Sequence, residues 1–198
     1  MNNKNYLLCG VGGQGTVLAA KVLADAGMAK GEEVKTTETI GMAQRGGSVV
    51  SHVRIGSDLH SPLLPPHSAQ MIIGFEPAEV VRNLSYLTDN GTVVVSKKAV
   101  KPVTAALSNS TYDGSEMLEY LRKMVKNLVV VDGENICCQC GSPKVLNVVL
   151  LGAALGTGAL DITMDEMKTA LKKRLPEKLH EMNMKALELG TKTCAERG

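Results

Sequence analysis

The sequence predicts an α/β fold with a helical C-terminal segment. Short β-branched or apolar runs of strand length alternate with stretches of helical periodicity over most of the chain. After residue 143 only helical patterns remain. We expect residues 1–198 to form a single domain, because a chain of this length can bury one core and contains no linker or internal repeat.

The N-terminal part begins with a strand, a glycine turn and a helix. Residues 6–9 form an apolar run that stops at Gly10, and apolar residues recur at helical spacing over residues 17–24. Residues 33–37 predict a second strand. The polar stretch 38–47, which contains three glycines, predicts a loop.

The middle of the chain adds strands and two helices. Residues 48–55 alternate at period two and predict a strand with one mostly polar face. Helices are predicted at residues 77–87, with Pro77 in the first turn where its missing N–H costs least, and at residues 115–126. The remaining strands are predicted at residues 71–75, 92–95 and 128–131.

The C-terminal segment predicts three helices, at residues 144–155, 164–173 and 177–190. We expect them to pack on the same sheet or on a partner. Asn147 lies within the first of them, in an apolar run, which indicates a buried structural hydrogen bond.

Composition excludes several classes of protein. A hydrophobic fraction of 44% and a charged fraction of 21% are typical of globular proteins rather than disordered ones. The net charge of +2, without a basic face that alternates with aromatic residues, argues against nucleic-acid binding. Without a signal sequence or a membrane-spanning run, and with an odd number of cysteines, we expect a cytoplasmic protein with reduced thiols.

The glycine turn is the first candidate binding site. Gly10, Gly12 and Gly15 have the spacing of a dinucleotide-binding turn, and Gly13 would let a ligand approach the backbone closely. Free N–H groups and the positive end of a helix dipole suit a phosphate or a carboxylate. The alternative is that these glycines only allow the helix to pack tightly on the strand.

A stand-alone NAD(P)- or nucleotide-binding module remains an alternative function. Glu38 lies where such a module carries an acidic residue for a ribose hydroxyl. Against this interpretation, a second glycine-rich loop follows directly, and no catalytic set for a substrate is apparent downstream.

Metal binding finds little support. Cys137, Cys138 and Cys140 lack a fourth ligand at the spacing that iron–sulfur clusters need, so we interpret them as packing thiols on a helix or turn. The four histidines are scattered without ligand spacing.

Two motifs together resemble the gamma-type module of 2-oxoacid:ferredoxin oxidoreductases. The first is the turn at residues 10–15, and the second covers residues 38–49 and contains Gly-Met-Ala-Gln-Arg-Gly-Gly. In this form the second motif is similar to the indolepyruvate branch of the family. Further matches lie in residues 74–82, 141–153 and 178–190.

The resemblance implies a three-layer α/β/α fold with a mixed sheet, and a subunit that is inactive alone. Its partner would be a larger alpha subunit that carries thiamine diphosphate and iron–sulfur clusters. The complex would decarboxylate an arylpyruvate such as indolepyruvate oxidatively, with coenzyme A accepting the aryl-acetyl group and ferredoxin accepting the electrons. Another 2-oxoacid, such as pyruvate or 2-ketoisovalerate, stays open as the substrate.

The resemblance also implies roles for individual residues. The glycine turn would face an anionic group such as a phosphate of coenzyme A, and the loop at residues 41–47 would reach the subunit interface beside the thiamine site. Arg45 could bind a carboxylate or phosphate through two hydrogen bonds, or form a salt bridge between domains. Gln44 is the second residue next to the catalytic site, although it could also cap a turn, and no residue of this chain is expected to be catalytic itself. The predicted cofactor-binding residues are Gly10, Gly12, Gly13, Gln14, Gly15, Glu38, Gly46 and Gly47.

Overall fold

Six strands form one mixed sheet in the computed structural model, which describes residues 3–41, 46–100 and 112–195. The strands are β1 (Lys4–Val11), β2 (Glu33–Ile40), β3 (Ser48–Gly56), β4 (Ala69–Gly74), β5 (Leu87–Ser96) and β6 (Asn127–Val131). Their order is β2-β3-β1-β4-β5-β6. The strands β1, β4, β5 and β6 run parallel, whereas β3 is antiparallel to both of its neighbours, β1 and β2.

Helices cover both faces of the sheet, which confirms the predicted three-layer arrangement. The helices are α1 (Thr16–Ala29), α2 (Pro77–Arg82), α3 (Ser115–Met124), α4 (Gly133–Cys140), α5 (Leu146–Gly156), α6 (Met164–Arg174) and α7 (His180–Ala195). Side chains of α1 and α4 to α7 share one core with the sheet, on what we call the large face. Side chains of α2 and α3 share a second, smaller core on the opposite side, the small face.

The large face is closed by a contact between α5 and α7 without intervening side chains. A Cβ atom on Gly152 of α5 would lie 2.2 Å from the carbonyl oxygen of Leu187 in α7. Gly190 in α7 meets the carbonyl oxygen of Val149 at the same distance. Glycine at both positions therefore lets the two helix backbones touch.

A buried ion pair joins α1 to α6 on the large face. The side chain of Asp25 is only 2% exposed. Its carboxylate accepts hydrogen bonds from Nε and Nη2 of Arg174, the latter at 2.9 Å. Lys173 Nζ lies 3.7 Å from the same carboxylate. The buried charge is thus compensated by two cations that reach solvent.

The small face contains a buried histidine. His52 of β3 accepts a hydrogen bond at Nδ1 from the backbone N–H of Leu64, at 3.3 Å. Its ring contacts the edge of Tyr86, with 5.4 Å between the ring centroids. Burial lowers the pKa of His52, so the ring stays neutral at pH 7.

Several elements differ from the predicted ones, among them β5, which begins at Leu87 instead of residue 92, and α7, which continues to Ala195. Strand β2 continues to Ile40 instead of ending at residue 37, because it pairs with β3 through Glu38 opposite Ser51 and Ile40 opposite Val49. Helix α2 ends at Arg82, since the side chain and backbone amides of Asn83 bind helix carbonyls, and a short 3-10 helix follows.

Another difference is α4, which the sequence did not predict as a separate helix. It carries the three clustered cysteines and is capped by Asp132, whose side chain accepts from the Asn135 N–H. Within the described ranges, no helix is long and apolar enough to cross a membrane.

Candidate functional site

The glycine turn joins β1 to α1 at the carboxyl end of the parallel strands. Gly13 and Gly15 have φ angles of +99° and +84°, a left-handed conformation that a residue with a Cβ adopts only with strain. Behind the turn, a Cβ on Gly15 would lie 3.0 Å from Nδ2 of Asn147 in α5, whereas nothing lies within 4 Å of one on Gly13. The open side of the turn therefore faces away from the core.

The side chain of Gln14 is engaged within the chain. Its Oε1 accepts a hydrogen bond from the Val11 N–H at 2.8 Å, and its Nε2 donates to the carbonyl oxygen of Phe75 at 3.0 Å. These two bonds tie the turn to the end of β4. The Gly12 and Gln14 N–H groups are also bonded within the chain, to Gly47 and Val11, so the N–H groups of Gly13 and Gly15 are what this turn offers to a ligand.

A cavity of about 400 Å³ lies beside the turn. It is lined by the turn, by the first residues of α1, by Lys21 and by Val49 of β3. Thr16, the first residue of α1, is 3% exposed, and its hydroxyl has no hydrogen-bond partner among the described residues. That hydroxyl is buried behind the turn, so the helix N-terminus and Lys21 are the features that favour an anion in the cavity.

The two glycine-rich loops predicted from the sequence are hydrogen-bonded to each other. The Gly12 N–H donates to the carbonyl oxygen of Gly47 at 2.8 Å, and the Gly46 N–H donates to the carbonyl oxygen of Gly12 at 3.4 Å. They therefore form one continuous surface. The site-adjacent candidates Gln44 and Arg45 lie outside the described residues.

The sheet order gives no support to a nucleotide-binding module of the dinucleotide type. In that fold the strand that carries the ribose-binding acid lies next to the first strand. Here β3 separates β2 from β1, and Glu38 is paired with Ser51, which in turn is paired with Leu8. Glu38 is thus one strand further from the glycine turn than that role requires.

Two buried carboxylates lie at the start of α2 on the small face, and one of them, Glu79, supports the second loop, a feature that the sequence analysis missed. Glu76 caps α2: its Oε2 accepts from the Glu79 N–H at 3.1 Å, and its Oε1 accepts from the Tyr112 hydroxyl at 2.5 Å. Glu79 accepts from Ser48 Oγ at 2.6 Å and from Arg82 Nη1 at 2.7 Å. The two glutamates are 2% and 3% exposed.

The carboxylates change the chemistry of their neighbours. Burial, together with the charges of Glu79 and Glu76, raises the pKa of the Cys9 thiol well above its usual range. Burial and the hydrogen bond to Glu76 likewise raise the pKa of Tyr112. Both groups stay neutral at physiological pH. The sequence contains one signal for the Glu76 cap: an acidic residue stands directly before Pro77, at a position where a side chain can cap a helix.

The clustered cysteines lie in α4, which follows β6, at the far side of the sheet from the two glycine loops. Burial raises the pKa of Cys137 to about 11. Cys137 and Cys138 line a cavity of about 410 Å³ that Lys98 also borders. In the described ranges, no group of three histidines, cysteines or acidic residues is arranged to hold a metal ion.

Comparison with known proteins identifies the family. Residues 5–193 match the pyruvate ferredoxin/flavodoxin oxidoreductase family. The chain belongs to this family. The resemblance stated from the two glycine motifs is therefore confirmed, and members of this oxidoreductase family include subunits of multi-subunit enzymes such as those below.

Relatives in the family match the chain over nearly its whole length. The indolepyruvate oxidoreductase subunit IorB of Pyrococcus horikoshii is 33% identical, over 99% of this chain and 98% of its own. IorB of Archaeoglobus fulgidus is 35% identical, over 94% and 92%. The pyruvate/ketoisovalerate oxidoreductases common subunit gamma of Pyrococcus abyssi is 29% identical, over 89% of both chains.

Solved structures share the fold. The gamma subunit of a keto/oxoacid ferredoxin oxidoreductase from Geobacter sulfurreducens superposes with a TM-score of 0.69 at 21% identity, over 98% of this chain and 99% of that one. A 2-oxoglutarate:ferredoxin oxidoreductase from Magnetococcus marinus superposes with a TM-score of 0.72 at 16% identity. The superposition covers all of this chain but only 32% of the Magnetococcus marinus chain, so the fold also occurs as one part of a larger oxidoreductase chain.

Proposed function

We propose that this chain is the small subunit of an indolepyruvate:ferredoxin oxidoreductase. The observation that carries the proposal is the gradient of identity within the family. Four indolepyruvate oxidoreductase IorB relatives are 31–35% identical, whereas the pyruvate/ketoisovalerate gamma relatives are 27–29% identical. The complex would convert an arylpyruvate to its aryl-acetyl thioester of coenzyme A and reduce ferredoxin.

In this proposal a larger partner subunit carries thiamine diphosphate and the iron–sulfur clusters. Those groups supply the decarboxylation and the electron transfer, so this chain needs no acid–base pair of its own. Its contribution is to close one side of the site and to exclude water. The carboxyl edge of the sheet, where the two glycine loops meet, is the surface that we assign to the partner.

The glycine turn is the proposed contact for coenzyme A. The Gly13 and Gly15 N–H groups, the α1 N-terminus and Lys21 fit a phosphate, and the cavity beside them is open. The Magnetococcus marinus enzyme was solved with coenzyme A bound, which supports a search for it here. Gly46 and Gly47 would extend this surface, with Arg45 and Gln44 next to the reacting groups.

Co-purification followed by a substrate comparison tests the proposal. The tagged chain would be purified from its native host, its partners identified by mass spectrometry, and iron and thiamine measured in the product. We expect a larger, iron-rich, thiamine-containing partner, and a complex whose kcat/KM for indolepyruvate exceeds that for pyruvate and 2-ketoisovalerate by about tenfold or more, a difference of at least ~1.4 kcal/mol in transition-state binding.

Two results would contradict the proposal at different levels. A complex that prefers pyruvate or 2-ketoisovalerate would reassign the substrate but keep the subunit role. A chain that is recovered alone and binds NAD would replace the subunit role with the nucleotide-binding alternative, and Glu38→Ala should then abolish the NAD affinity.

A further inference from the structure

Glu79 connects the small face of the sheet to the loop surface. It is the third residue of α2, and its side chain is only 4% exposed because it lies between α2 and the start of β3. One oxygen binds Arg82, which is mostly exposed, and the other accepts the short 2.6 Å hydrogen bond from Ser48 Oγ. A charged acceptor makes this second bond stronger than one between neutral groups.

Ser48 stands at the junction of the two glycine loops. Its carbonyl oxygen accepts from the Gly41 N–H at 2.8 Å, so it holds both ends of the second loop together. The preceding residue, Gly47, accepts the 2.8 Å hydrogen bond from the Gly12 N–H. A continuous chain of contacts therefore runs from the Glu79 carboxylate through Ser48 and Gly47 to the glycine turn.

Both loops need such support because glycine gives their backbones unusual freedom. Gly13 and Gly15 of the first loop and Gly46 of the second have left-handed φ angles of +99°, +84° and +75°. Glycines gain more conformational entropy than other residues when a loop is released. A fixed, buried anchor at one point would reduce the range of distances between the two loops.

We propose that Glu79 is a positioning residue, which sets the distance between the two glycine loops through Ser48 and thereby the affinity of the complex for coenzyme A. The first half of the proposal concerns this chain alone. The second half rests on the proposed function, because it requires that the joined loops contact coenzyme A.

Amide hydrogen exchange on the full chain tests the first half without any activity assay. Exchange at the Gly12 N–H would be followed by NMR in the wild type, in Ser48→Ala and in Ser68→Ala. Ser68 is the matched control, because its Oγ donates an equally short 2.6 Å bond, to the carbonyl oxygen of Pro65, away from both loops. We expect Ser48→Ala to accelerate the Gly12 exchange by about five- to tenfold, and Ser68→Ala to leave it unchanged.

Two substitutions of Glu79 separate the hydrogen bond from the charge. Glu79→Gln keeps an oxygen that can accept from Ser48, and Arg82 can turn to solvent, so Gly12 exchange should stay within about twofold of the wild type. Glu79→Leu removes the acceptor and should reproduce the effect of Ser48→Ala. If Ser48→Ala leaves the Gly12 exchange unchanged, the anchoring role is wrong.

Steady-state kinetics on the complex with its larger subunit test the second half. Ser48→Ala should raise the KM for coenzyme A about three- to tenfold while kcat and the KM for the 2-oxoacid stay within about twofold, and Ser68→Ala should change none of them. Faster Gly12 exchange with an unchanged KM for coenzyme A would overturn the positioning role. A wild-type complex that forms no thioester would instead contradict the proposed function, while the exchange data still decide whether Glu79 holds the loops.

Discussion

The two faces of the sheet have different compositions. The large face is covered by five helices and has the larger apolar core, with the backbones of α5 and α7 in direct contact; among the described residues its one buried carboxylate is Asp25, which is paired with Arg174. The small face has a smaller core, and its described part includes His52 and the carboxylates of Glu76 and Glu79 beside the apolar residues.

The difference indicates that the two faces have different roles, one in stability and one in the shape of the site. Apolar area removed from water is the main source of stability, so the large face should contribute most of the free energy of unfolding. Buried charges and a buried imidazole cost desolvation energy and stabilise little. On the small face Glu79 holds the end of the second loop through Ser48 and Glu76 caps α2, which concerns the shape of the site.

The strongest test of this comparison is Gly152→Ala at the helix contact of the large face. Alanine favours a helix by about 1 kcal/mol over glycine, so propensity alone predicts stabilisation. We expect the opposite, a loss of about 3 kcal/mol or more in the free energy of unfolding, because the new Cβ meets the Leu187 carbonyl oxygen and forces α5 from α7. Urea unfolding followed by circular dichroism measures it.

Gly27→Ala in α1 is the matched control. A Cβ there meets side-chain atoms of Ile55, the nearest at 2.7 Å, and no backbone atom, so we expect a smaller loss than at Gly152, about 1 kcal/mol. Equal losses in the two variants would show that the close α5–α7 backbone contact contributes no more to the free energy of unfolding than ordinary side-chain packing does.

A smaller effect is expected for Asp25→Asn in the ion pair of the large face. The change should cost about 2 kcal/mol, less than for a fully buried pair, because Arg174 is 38% exposed and can be solvated when its partner is gone. Glu188→Gln is the control, since it removes an exposed ion pair with Lys168 of similar length. A variant of Asp25 as stable as that control would mean that α6 is held by apolar contacts alone.

The smallest expected effect concerns His52 on the small face. Because burial lowers its pKa in the folded state, its contribution to stability is complete above the unfolded pKa of ~6.5 and is lost as pH falls through the lowered folded value. The free energy of unfolding should thus fall between pH 7 and pH 5, by at most about 1.4 kcal/mol per pH unit from this group. His52→Asn, which keeps an acceptor for the Leu64 N–H, should have a flatter pH profile, and an unchanged slope would exclude His52 as the cause.

The sequence predicted the elements whose pattern is local. Strand β1, helix α1 and strand β3 have clear periodicity, and their predicted positions are confirmed within a few residues. The extension of β2 to Ile40 depends on pairing with β3, a contact between distant residues that periodicity does not contain. The early end of α2 depends on hydrogen bonds of the Asn83 side chain, which could equally have continued a helix.

The candidate site was predicted less completely than the fold. The two glycine motifs were each predicted as loops near the site, but the hydrogen bonds between Gly12 and the pair Gly46 and Gly47, which bring them together, follow only from the fold. Glu76 and Glu79 were noticed as part of a family motif without a role. Charged residues are usually exposed, so a sequence alone gives little reason to bury two of them together.

The position of the C-terminal helices has a consequence for synthesis of the protein. Helix α5 packs against β4, β5 and β6, and α6 and α7 pack on α1 and α5, although those strands and α1 leave the ribosome first. The part of the large face that α1 does not cover therefore stays exposed until residues 146–195 have been translated, which takes several seconds at ~5–20 residues per second. During that interval the nascent chain exposes apolar surface that favours aggregation, and chaperones that bind apolar segments would be needed most at that stage.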